Sequence, residues 1–245
     1  MSERKKSCAF FDLDGTLIQG FIIQAFPRFL AEQGFIESRY SDEVVEVGSL
    51  YSSGRISYRE AAEIVPVKYA SAVMGKNLDD VKRYANRFME TYVPEHAFPY
   101  SIPLINEMRV LFDLTVVLSG NPHYVIAELK PLGFDKIYGS IFGIDNGEYT
   151  GEVVKNLILG EEKARFVRKI SRELGVDLSQ SIAFGDSDQD APMLSLVGIP
   201  VAINPNEKMK EICETKGWRW FTTEDLKDFD SLKSWINKKK KITNR

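Results

Sequence analysis

The chain has 245 residues, of which 44% are hydrophobic and 27% are charged. These values are typical of a globular protein that is long enough to bury a sizeable core. The formal net charge of -3 leaves no broad basic surface for nucleic acid. No apolar stretch reaches the roughly 18 residues that a membrane span needs. We therefore expect neither a nucleic-acid partner nor a membrane partner.

Cysteine usage and the N-terminus both bear on the compartment. The two cysteines, Cys8 and Cys213, are too few for a disulfide framework and suit a reducing environment. The apolar stretch after the basic N-terminus is interrupted by Asp12 and Asp14, so a signal peptide is not predicted. We expect a cytoplasmic protein. Residues 238–245, which begin with four lysines, are predicted to form a solvated basic tail.

The first half of the chain predicts one strand and then a helical module. Residues 8–11 form a short apolar run that stops at polar residues and a glycine, which is typical of a buried strand entering a loop. From about residue 21 to residue 92 the apolar residues follow helical spacing. This pattern indicates several short helices, joined around Gly34, Gly54 and Gly75.

After Pro94 the pattern alternates between helices and strands. The predicted elements are a helix at 103–111, a strand at 114–118, a helix at 123–132, a hairpin within 141–154 that turns at residues 145–147, a helix at 161–174, a strand at 181–184, a further helix, and a strand at 199–203. Strands that alternate with helices predict an α/β fold, with a parallel sheet covered by helices on both faces.

Polar residues follow three of the predicted strands, at residues 12–16, 119–121 and 185–190. Lys163 lies in the first turn of a predicted helix. Ligands of open α/β sheets bind at the carboxyl ends of the strands, near which the following helices begin. We therefore expect these four pieces to lie together.

The same four pieces resemble the motifs of a known family. DLDGT at 12–16, VVLSGN at 116–121, Lys163 and GDSDQD at 185–190 are similar to the signature of the haloacid dehalogenase (HAD) superfamily. Within it they resemble subfamily IB, the phosphoserine-phosphatase-like branch. The resemblance implies a Rossmann-like parallel-sheet core, residues 1–17 and 95–237, and an inserted α-helical cap of the C1 type, residues 18–94.

The resemblance also implies an activity. The expected enzyme is a magnesium-dependent phosphatase that hydrolyses a small phosphorylated metabolite through a phosphorylated Asp12. A carboxylate is already ionised at neutral pH, so Asp12 needs no base to act as nucleophile. Asp14 would act as general acid and then general base, a task that needs a raised pKa. Lys163 would neutralise charge on the transferred phosphoryl group.

Phosphate and metal contacts are implied in the same way. The phosphate-binding residues expected from the resemblance are Gly15, Thr16, Ser119, Gly120 and Asn121. Asp12 and Asp186 would bind a metal through their carboxylates, Asp14 through its backbone carbonyl, and Asp190 would support the site. Several carboxylates within a few ångströms repel each other in a low-dielectric cleft, and a hard divalent cation removes the conflict. Oxygen ligands around a phosphate favour Mg²⁺.

Each candidate also has a plain structural interpretation. Asp12 and Asp14 could be turn residues, Asp190 could cap a helix, and Lys163 could be a solvated lysine. Lys155 is the rival lysine for the phosphate. His123, near the Ser119 loop, is interpreted as a solvated residue at a helix start.

The identity of the substrate is the least determined part of the interpretation. Phosphoserine enzymes of this branch carry a glutamate shortly after the first motif, whereas residues 17–24 here contain no acid. A monoester less similar to an amino acid is therefore favoured. Candidate substrate contacts are Gln19, Gln24, Arg28 and Arg55.

Several alternative functions stay open. They are a phosphoserine phosphatase or phosphotransferase of the same branch, a receiver-type signalling domain that holds a stable aspartyl phosphate, and a dehalogenase. A receiver domain would lack the helical insertion, and a dehalogenase would lack Asp14. The sequence leaves open whether the protein forms a homo-oligomer.

Overall fold

The computed structural model of the protein describes residues 4–243, with side chains for residues 4–240. Residues 1–3 of the predicted core and residues 244–245 of the predicted tail lie outside the described residues. Within the described part of the chain, every helix is too short or too polar to cross a membrane.

The core of the fold is a seven-stranded sheet with the order β4-β3-β2-β1-β5-β6-β7. Its strands are β1 Cys8–Phe11, β2 Leu114–Pro122, β3 Lys136–Asp145, β4 Glu148–Lys155, β5 Ile182–Gly185, β6 Ile199–Ile203 and β7 Arg219–Phe221. All neighbouring pairs are parallel except β3 and β4, which form an antiparallel hairpin. The predicted mostly parallel sheet is confirmed.

Strand β1 occupies the centre of the sheet and is buried on both faces. Alternate side chains of a strand point to opposite faces. Cys8 and Phe10 accordingly pack in one hydrophobic cluster, while Ala9 and Phe11 pack in the other. Helices cover both faces, so all four residues are fully buried. This explains why β1 is a continuous apolar run rather than an alternating one.

Ten helices accompany the sheet in the described residues. They are α1 Ile22–Glu32, α2 Ser38–Ser52, α3 Tyr58–Val73, α4 Leu78–His96, α5 Ser101–Leu111, α6 His123–Ile126, α7 Gly160–Leu174, α8 Ala191–Leu194, α9 Glu207–Lys216 and α10 Phe229–Thr243. Helices α1 to α4 correspond to the predicted helical module. Its three connecting glycines, Gly34, Gly54 and Gly75, all have left-handed φ angles near +70°, which glycine adopts without strain.

Two elements between residues 114 and 132 differ from the prediction. Strand β2 does not stop at Leu118 but continues to Pro122, because β3 extends alongside it and pairs Pro122 with Ser140 beyond a bulge. The predicted helix at 123–132 is split into α6 and a 3-10 turn over residues 127–132. Pro131 lies in that turn, and a proline disfavours α-helical continuation because it lacks an N–H.

The C-terminal part of the chain contains elements that the sequence pattern did not predict. Strand β7 adds one edge to the sheet, and α9 and α10 follow the last predicted strand. Helix α10 is anchored by Leu232 and Ile236, one turn apart and both buried. Lys238 and the lysines after it continue this helix to Thr243, so the basic run is helical rather than a tail.

Phe11 provides a test of the sheet centre. Its ring stacks on Phe184 with 5.0 Å between centroids and meets Phe134 edge-on at 5.7 Å. We expect Phe11→Ala to lower the free energy of unfolding by about 3–5 kcal/mol, through lost burial and an unfilled cavity. Val110, on α5, is 80% exposed, and Val110→Ala should change it by less than about 0.5 kcal/mol. Urea denaturation of both variants measures the difference; equal effects would contradict this view of the core.

Candidate active site

Three strand ends meet at one edge of the sheet, as the sequence predicted. Asp12 directly follows β1, Ser119 lies in β2, and Asp186 directly follows β5. Strand β1 lies between β2 and β5, with Phe11 level with Val117 and Phe184. The parallel register therefore places the three polar residues side by side.

Lys163 joins this edge from the first turn of α7. Its side chain is 5% exposed. The ammonium group donates hydrogen bonds to Oδ1 of Asp12 at 2.6 Å and to Oδ1 of Asp190 at 2.7 Å. These two carboxylates raise the pKa of Lys163 against the opposing effect of burial. Lys163 is thus a buried cation between two acids and not a solvated lysine.

Two glycines allow Lys163 and Asp190 to approach each other. A Cβ on Gly160 would lie 2.0 Å from the carbonyl oxygen of Gln189, so only glycine lets the start of α7 contact the 186–190 loop. A Cβ on Gly185 would lie 2.4 Å from Cβ of Asp190. Both close contacts bring Lys163 and Asp190 together. Sequence analysis did not assign a role to either glycine.

Asp190 is 2% exposed and orders the loop that holds Asp186. Its Oδ2 accepts hydrogen bonds from the backbone N–H groups of Asp186 and Ser187 and from the Ser187 hydroxyl, at 3.1–3.3 Å. Although Asp190 occupies the position before α8, its side chain makes no capping hydrogen bond to that helix. The geometry therefore favours a site role for Asp190 over a helix cap.

The carboxylates of Asp12, Asp186 and Asp190 form a cluster that fits a cation. One oxygen from each lies within 4.8 Å of the others. Lys163 balances only one of the three negative charges, which leaves two when all three acids are ionised. Two unit charges about 4 Å apart near a protein surface repel by about 4 kcal/mol. A donor set made only of oxygens, with a surplus charge of two, suits a hard divalent cation such as Mg²⁺.

The pKa values of the acids reflect this crowding. Burial and the neighbouring Asp190 raise the pKa of Asp12 to about 6, against the lowering effect of Lys163. Burial, followed by Asp190 and Asp12, raises the pKa of Asp186 well above its usual range. Burial and the charge of Asp12 raise the pKa of Asp14 to about 8. Asp14 therefore has the property that a general acid near neutral pH requires.

Asp14 is held by Asn121, which links three parts of the site. The Asn121 amide donates to Oδ2 of Asp14 at 3.0 Å and to the hydroxyl of Ser119 at 2.9 Å. Its Oδ1 accepts the backbone N–H of Ile23 at 2.8 Å, one of the unpaired donors at the start of α1. Among the described residues, the other oxygen of Asp14, Oδ1, has no hydrogen-bond partner, although it is buried. The side chain of Asn121 is thus committed to protein groups.

Gly15 and Thr16 are packed against the acids. Gly15 has a φ angle of +80°, and a Cβ there would lie 2.3 Å from Oδ2 of Asp186. Its N–H donates to the carbonyl of Ile18 within the loop at 2.7 Å. The hydroxyl of Thr16 donates to Asp186 at 3.3 Å and to Asp12 at 3.4 Å. Both residues therefore shape the acidic cluster, and the Gly15 N–H is already used.

A cavity of about 930 Å³ extends from this cluster towards the helical module. Ser119 and Gly120 line it, together with Lys163 and the acids Asp12, Asp14, Asp186 and Asp190. Among the four candidate substrate contacts only Gln24 lines the cavity; Gln19, Arg28 and Arg55 do not.

The two other candidates also lie outside the cavity lining. The ammonium group of Lys155 lies 4.3 Å from the ring centroid of Phe166. His123 packs edge-on against Tyr124, with 5.3 Å between the ring centroids. The geometry thus selects Lys163 over Lys155 at the acidic cluster.

Comparison with known proteins now places the chain in a family. Residues 9–195 match the model of the haloacid dehalogenase-like hydrolases. The chain belongs to the haloacid dehalogenase-like hydrolase family. The resemblance of the four motifs is thereby confirmed.

Two curated relatives have the same low sequence identity to the chain and match most of its length. The chain is 26% identical to the phosphoserine phosphatase SerB1 of Mycobacterium tuberculosis, over 91% of this chain and 71% of that protein. It is also 26% identical to a histidinol-phosphatase of Neisseria meningitidis, over 87% of this chain and 97% of that protein. Both names describe phosphatases, but of different compounds.

Solved structures share the fold. A Bordetella pertussis protein of unknown function has a TM-score of 0.76 and 22% identity, over 90% of this chain and all of that one. A phosphoserine phosphatase, solved as an analogue of its phospho-aspartyl intermediate, has a TM-score of 0.61 and 21% identity, over 85% of this chain and 91% of that one. At these sequence identities the comparison shows a shared fold and no more.

Gly15 provides a test of the acidic cluster, with Gly34 as its matched control. Both have left-handed φ angles, so alanine at either position should cost about 1–2 kcal/mol of backbone strain. Only at Gly15 does the added Cβ clash with Asp186, since nothing lies within 4 Å of it at Gly34. We expect Gly15→Ala to lower kcat/KM for an aryl phosphate by about 100-fold or more, through displaced reacting groups. Gly34→Ala should lower it less than about threefold at matched temperature; equal losses would contradict the geometry.

Proposed function

We propose that this protein is a magnesium-dependent phosphatase that hydrolyses a small phosphate monoester through an aspartyl-phosphate intermediate on Asp12. The observation that carries the proposal is the buried contact of Asp12 with Lys163 beside Asp186 and Asp190, at the mouth of a cavity. Membership of a hydrolase family and two relatives named as phosphatases support it.

The first chemical step forms the intermediate. A carboxylate oxygen of Asp12 attacks phosphorus in line as the bond from phosphorus to the substrate's alcohol oxygen breaks. Asp14, whose pKa is raised to about 8, gives its proton to the departing alkoxide. Lys163 neutralises charge on the transferred group. Ser119 and the backbone at Gly120, which line the cavity next to Asp12, hold the non-reacting oxygens.

The second step returns the enzyme to its starting state. The ionised Asp14 takes a proton from a water molecule as the water oxygen attacks phosphorus of the aspartyl phosphate. The bond from phosphorus to Asp12 breaks, inorganic phosphate leaves, and Asp14 is protonated again. Asn121 keeps Asp14 in place during both steps through its 3.0 Å hydrogen bond.

The carboxylates of Asp12, Asp186 and Asp190 would hold Mg²⁺, with the backbone carbonyl of Asp14 as a further ligand. The cation would supply charge compensation between the acids and the phosphate. Two hydrogen bonds orient Asp186: its carboxylate accepts one from the Thr16 hydroxyl, and its N–H donates one to Asp190.

The substrate is proposed to be a monoester other than phosphoserine. Residues 17–24 contain no acid that could pair with an amino group. Relatives of equal identity are named for two different substrates, so 26% identity does not carry the substrate across. A phosphoserine phosphatase or phosphotransferase is the alternative within the same fold.

Asp12 is the first residue to substitute. We expect purified Asp12→Asn to lose hydrolysis of p-nitrophenyl phosphate by at least about 10⁴-fold, because the amide cannot form the acyl phosphate. Asp42→Asn, an exposed aspartate on α2, should retain wild-type rates. The wild-type rate should also vanish with a chelator and return with Mg²⁺. Full turnover by Asp12→Asn would overturn the assignment.

Substitution of Asp14 distinguishes a role in acid–base catalysis from a role in phosphate binding. We expect Asp14→Asn to lower kcat by roughly 10²–10⁴-fold, as for a lost general acid. Its affinity for inorganic phosphate should change little, as measured by competitive inhibition of residual activity. A wild-type kcat would remove Asp14 from the mechanism. Wild-type phosphoenzyme that persists for minutes would instead favour a receiver-type domain, and activity without a metal would favour a dehalogenase.

A further inference from the structure

The half of the cavity that lies away from the strand ends is uncharged. The charged residues in the lining are Lys163 and four acids at the strand ends, namely Asp12, Asp14, Asp186 and Asp190. In the described chain, the helical module contributes only apolar and neutral polar residues to this lining. They are Phe21, Ile23, Gln24, Val45, Gly48, Ser49, Tyr51, Ser52, Ser53, Tyr58, Ala61, Ala62 and Val65.

Several charged side chains of the module bind each other, the core or the backbone. Lys68 binds Glu43 at 2.8 Å, and Arg59 binds Glu161 of α7 at 3.1 Å. Glu60 accepts the backbone N–H and the hydroxyl of Ser57 in a capping box. These charges are occupied within the protein, outside the cavity lining.

The hydroxyl groups of the serines and of Tyr58 in this half are occupied as well, whereas that of Tyr51 makes no hydrogen bond within the described residues. The side chains of Ser49, Ser52 and Ser53 donate to backbone carbonyls of their own helix, α2, or its C-terminal turn, at 2.9–3.3 Å. The Tyr58 hydroxyl donates to the carbonyl of Ile158 across the cavity at 3.1 Å. The neutral polar residues thus offer a ligand few donors.

Gln24 is the other polar side chain of this wall that is not occupied. Its side-chain amide makes no hydrogen bond to another residue in the part of the chain that the structure describes. The amide lies against α2, where a Cβ on Gly48 would be 2.7 Å from Nε2 of Gln24. One neutral amide on an apolar wall can orient a ligand, but it cannot balance a net charge.

From these observations we propose that the alcohol part of the substrate is uncharged and largely apolar. The proposal deepens the proposed function and depends on it. A charge on the alcohol would be transferred from water to a surface without a counter-charge, which is costly unless the charge is paired. An aliphatic or aromatic alcohol matches the side chains of Val45, Tyr51, Tyr58 and Val65, with Gln24 as its polar contact.

The test compares three phosphates that differ only far from phosphorus. Hexyl phosphate ends in a methyl group, 5-aminopentyl phosphate in an ammonium, and 5-carboxypentyl phosphate in a carboxylate. Five carbons separate the charge from the ester, so the leaving groups are nearly equal in acidity. We expect kcat/KM for hexyl phosphate to exceed both others by about 100-fold, the range in which one pocket contact discriminates.

Gln24→Glu converts the neutral amide into a carboxylate of the same shape. We expect it to raise the ratio of kcat/KM for 5-aminopentyl phosphate over hexyl phosphate by at least about tenfold. Gln24→Leu, the control of similar size without charge, should keep the wild-type preference for hexyl phosphate. Thermal unfolding of both variants checks that they fold.

The outcomes separate this proposal from the proposed function. Hydrolysis with equal or higher kcat/KM for either charged phosphate, or for phosphoserine, overturns the inference and leaves the phosphatase intact. The inference is also overturned if Gln24→Glu folds but leaves the ratio of kcat/KM for 5-aminopentyl phosphate over hexyl phosphate unchanged. Failure to hydrolyse p-nitrophenyl phosphate and all three alkyl phosphates in Mg²⁺ would overturn the proposed function itself.

Discussion

The contact of one buried lysine with two buried acids is the interaction on which the site depends. Lys163 reaches Asp12 and Asp190 from a helix start that glycine alone can bring close enough. Taking such ions out of water is costly unless hydrogen bonds and opposite charges compensate. With Asp186 beside them the compensation is incomplete, and the remaining negative charge is what a divalent cation would balance. The uncompensated negative charge that destabilises the cluster by itself thus favours the binding of a cation there.

In the proposed function, the reacting groups and the substrate-contacting wall come from different layers of the fold. The charged groups that line the cavity all follow strand ends or begin α7, where the parallel sheet holds them in register. The facing wall comes from helices inserted between β1 and α5. Asn121 connects the two layers, because one side chain binds both Asp14 and the N-terminus of α1. We infer that the position of the proposed general acid depends on the docking of the helical module.

Much of this arrangement could be predicted from the sequence. The buried run at residues 8–11, the helix–strand alternation and the four motifs were sufficient for the sheet, the helical module and the convergence of Asp12, Lys163 and Asp186. Other features depend on long-range contacts without a local pattern. The hydrogen bond from Asn121 to Asp14 joins residues 107 positions apart in the sequence. The absence of Arg28 and Arg55 from the cavity lining likewise follows from the packing of distant segments. Strand β7 has only three residues, two of them exposed, and therefore resembles a loop in its pattern.

The helical module is joined to the sheet by two chain crossings that lie side by side. The N–H of Gln19 donates to the carbonyl of His96 at 2.8 Å, and the N–H of Phe98 donates to the carbonyl of Leu17 at 3.1 Å. Away from the crossings, backbone hydrogen bonds also join the module to the β3–β4 hairpin. The N–H of Gly75 donates to the carbonyl of Tyr149, and the N–H of Leu78 donates to the carbonyl of Gly147, both at 2.8 Å. Side-chain contacts add to these, including the Tyr58 hydroxyl on the carbonyl of Ile158 and the Asn156 amide on the carbonyl of Ala62. Backbone hydrogen bonds therefore tie the module to the core at two separate places, the chain crossings and the β3–β4 hairpin. A rotation of the module about the crossings would have to break the hydrogen bonds to the hairpin, so the hairpin opposes any opening of the cavity.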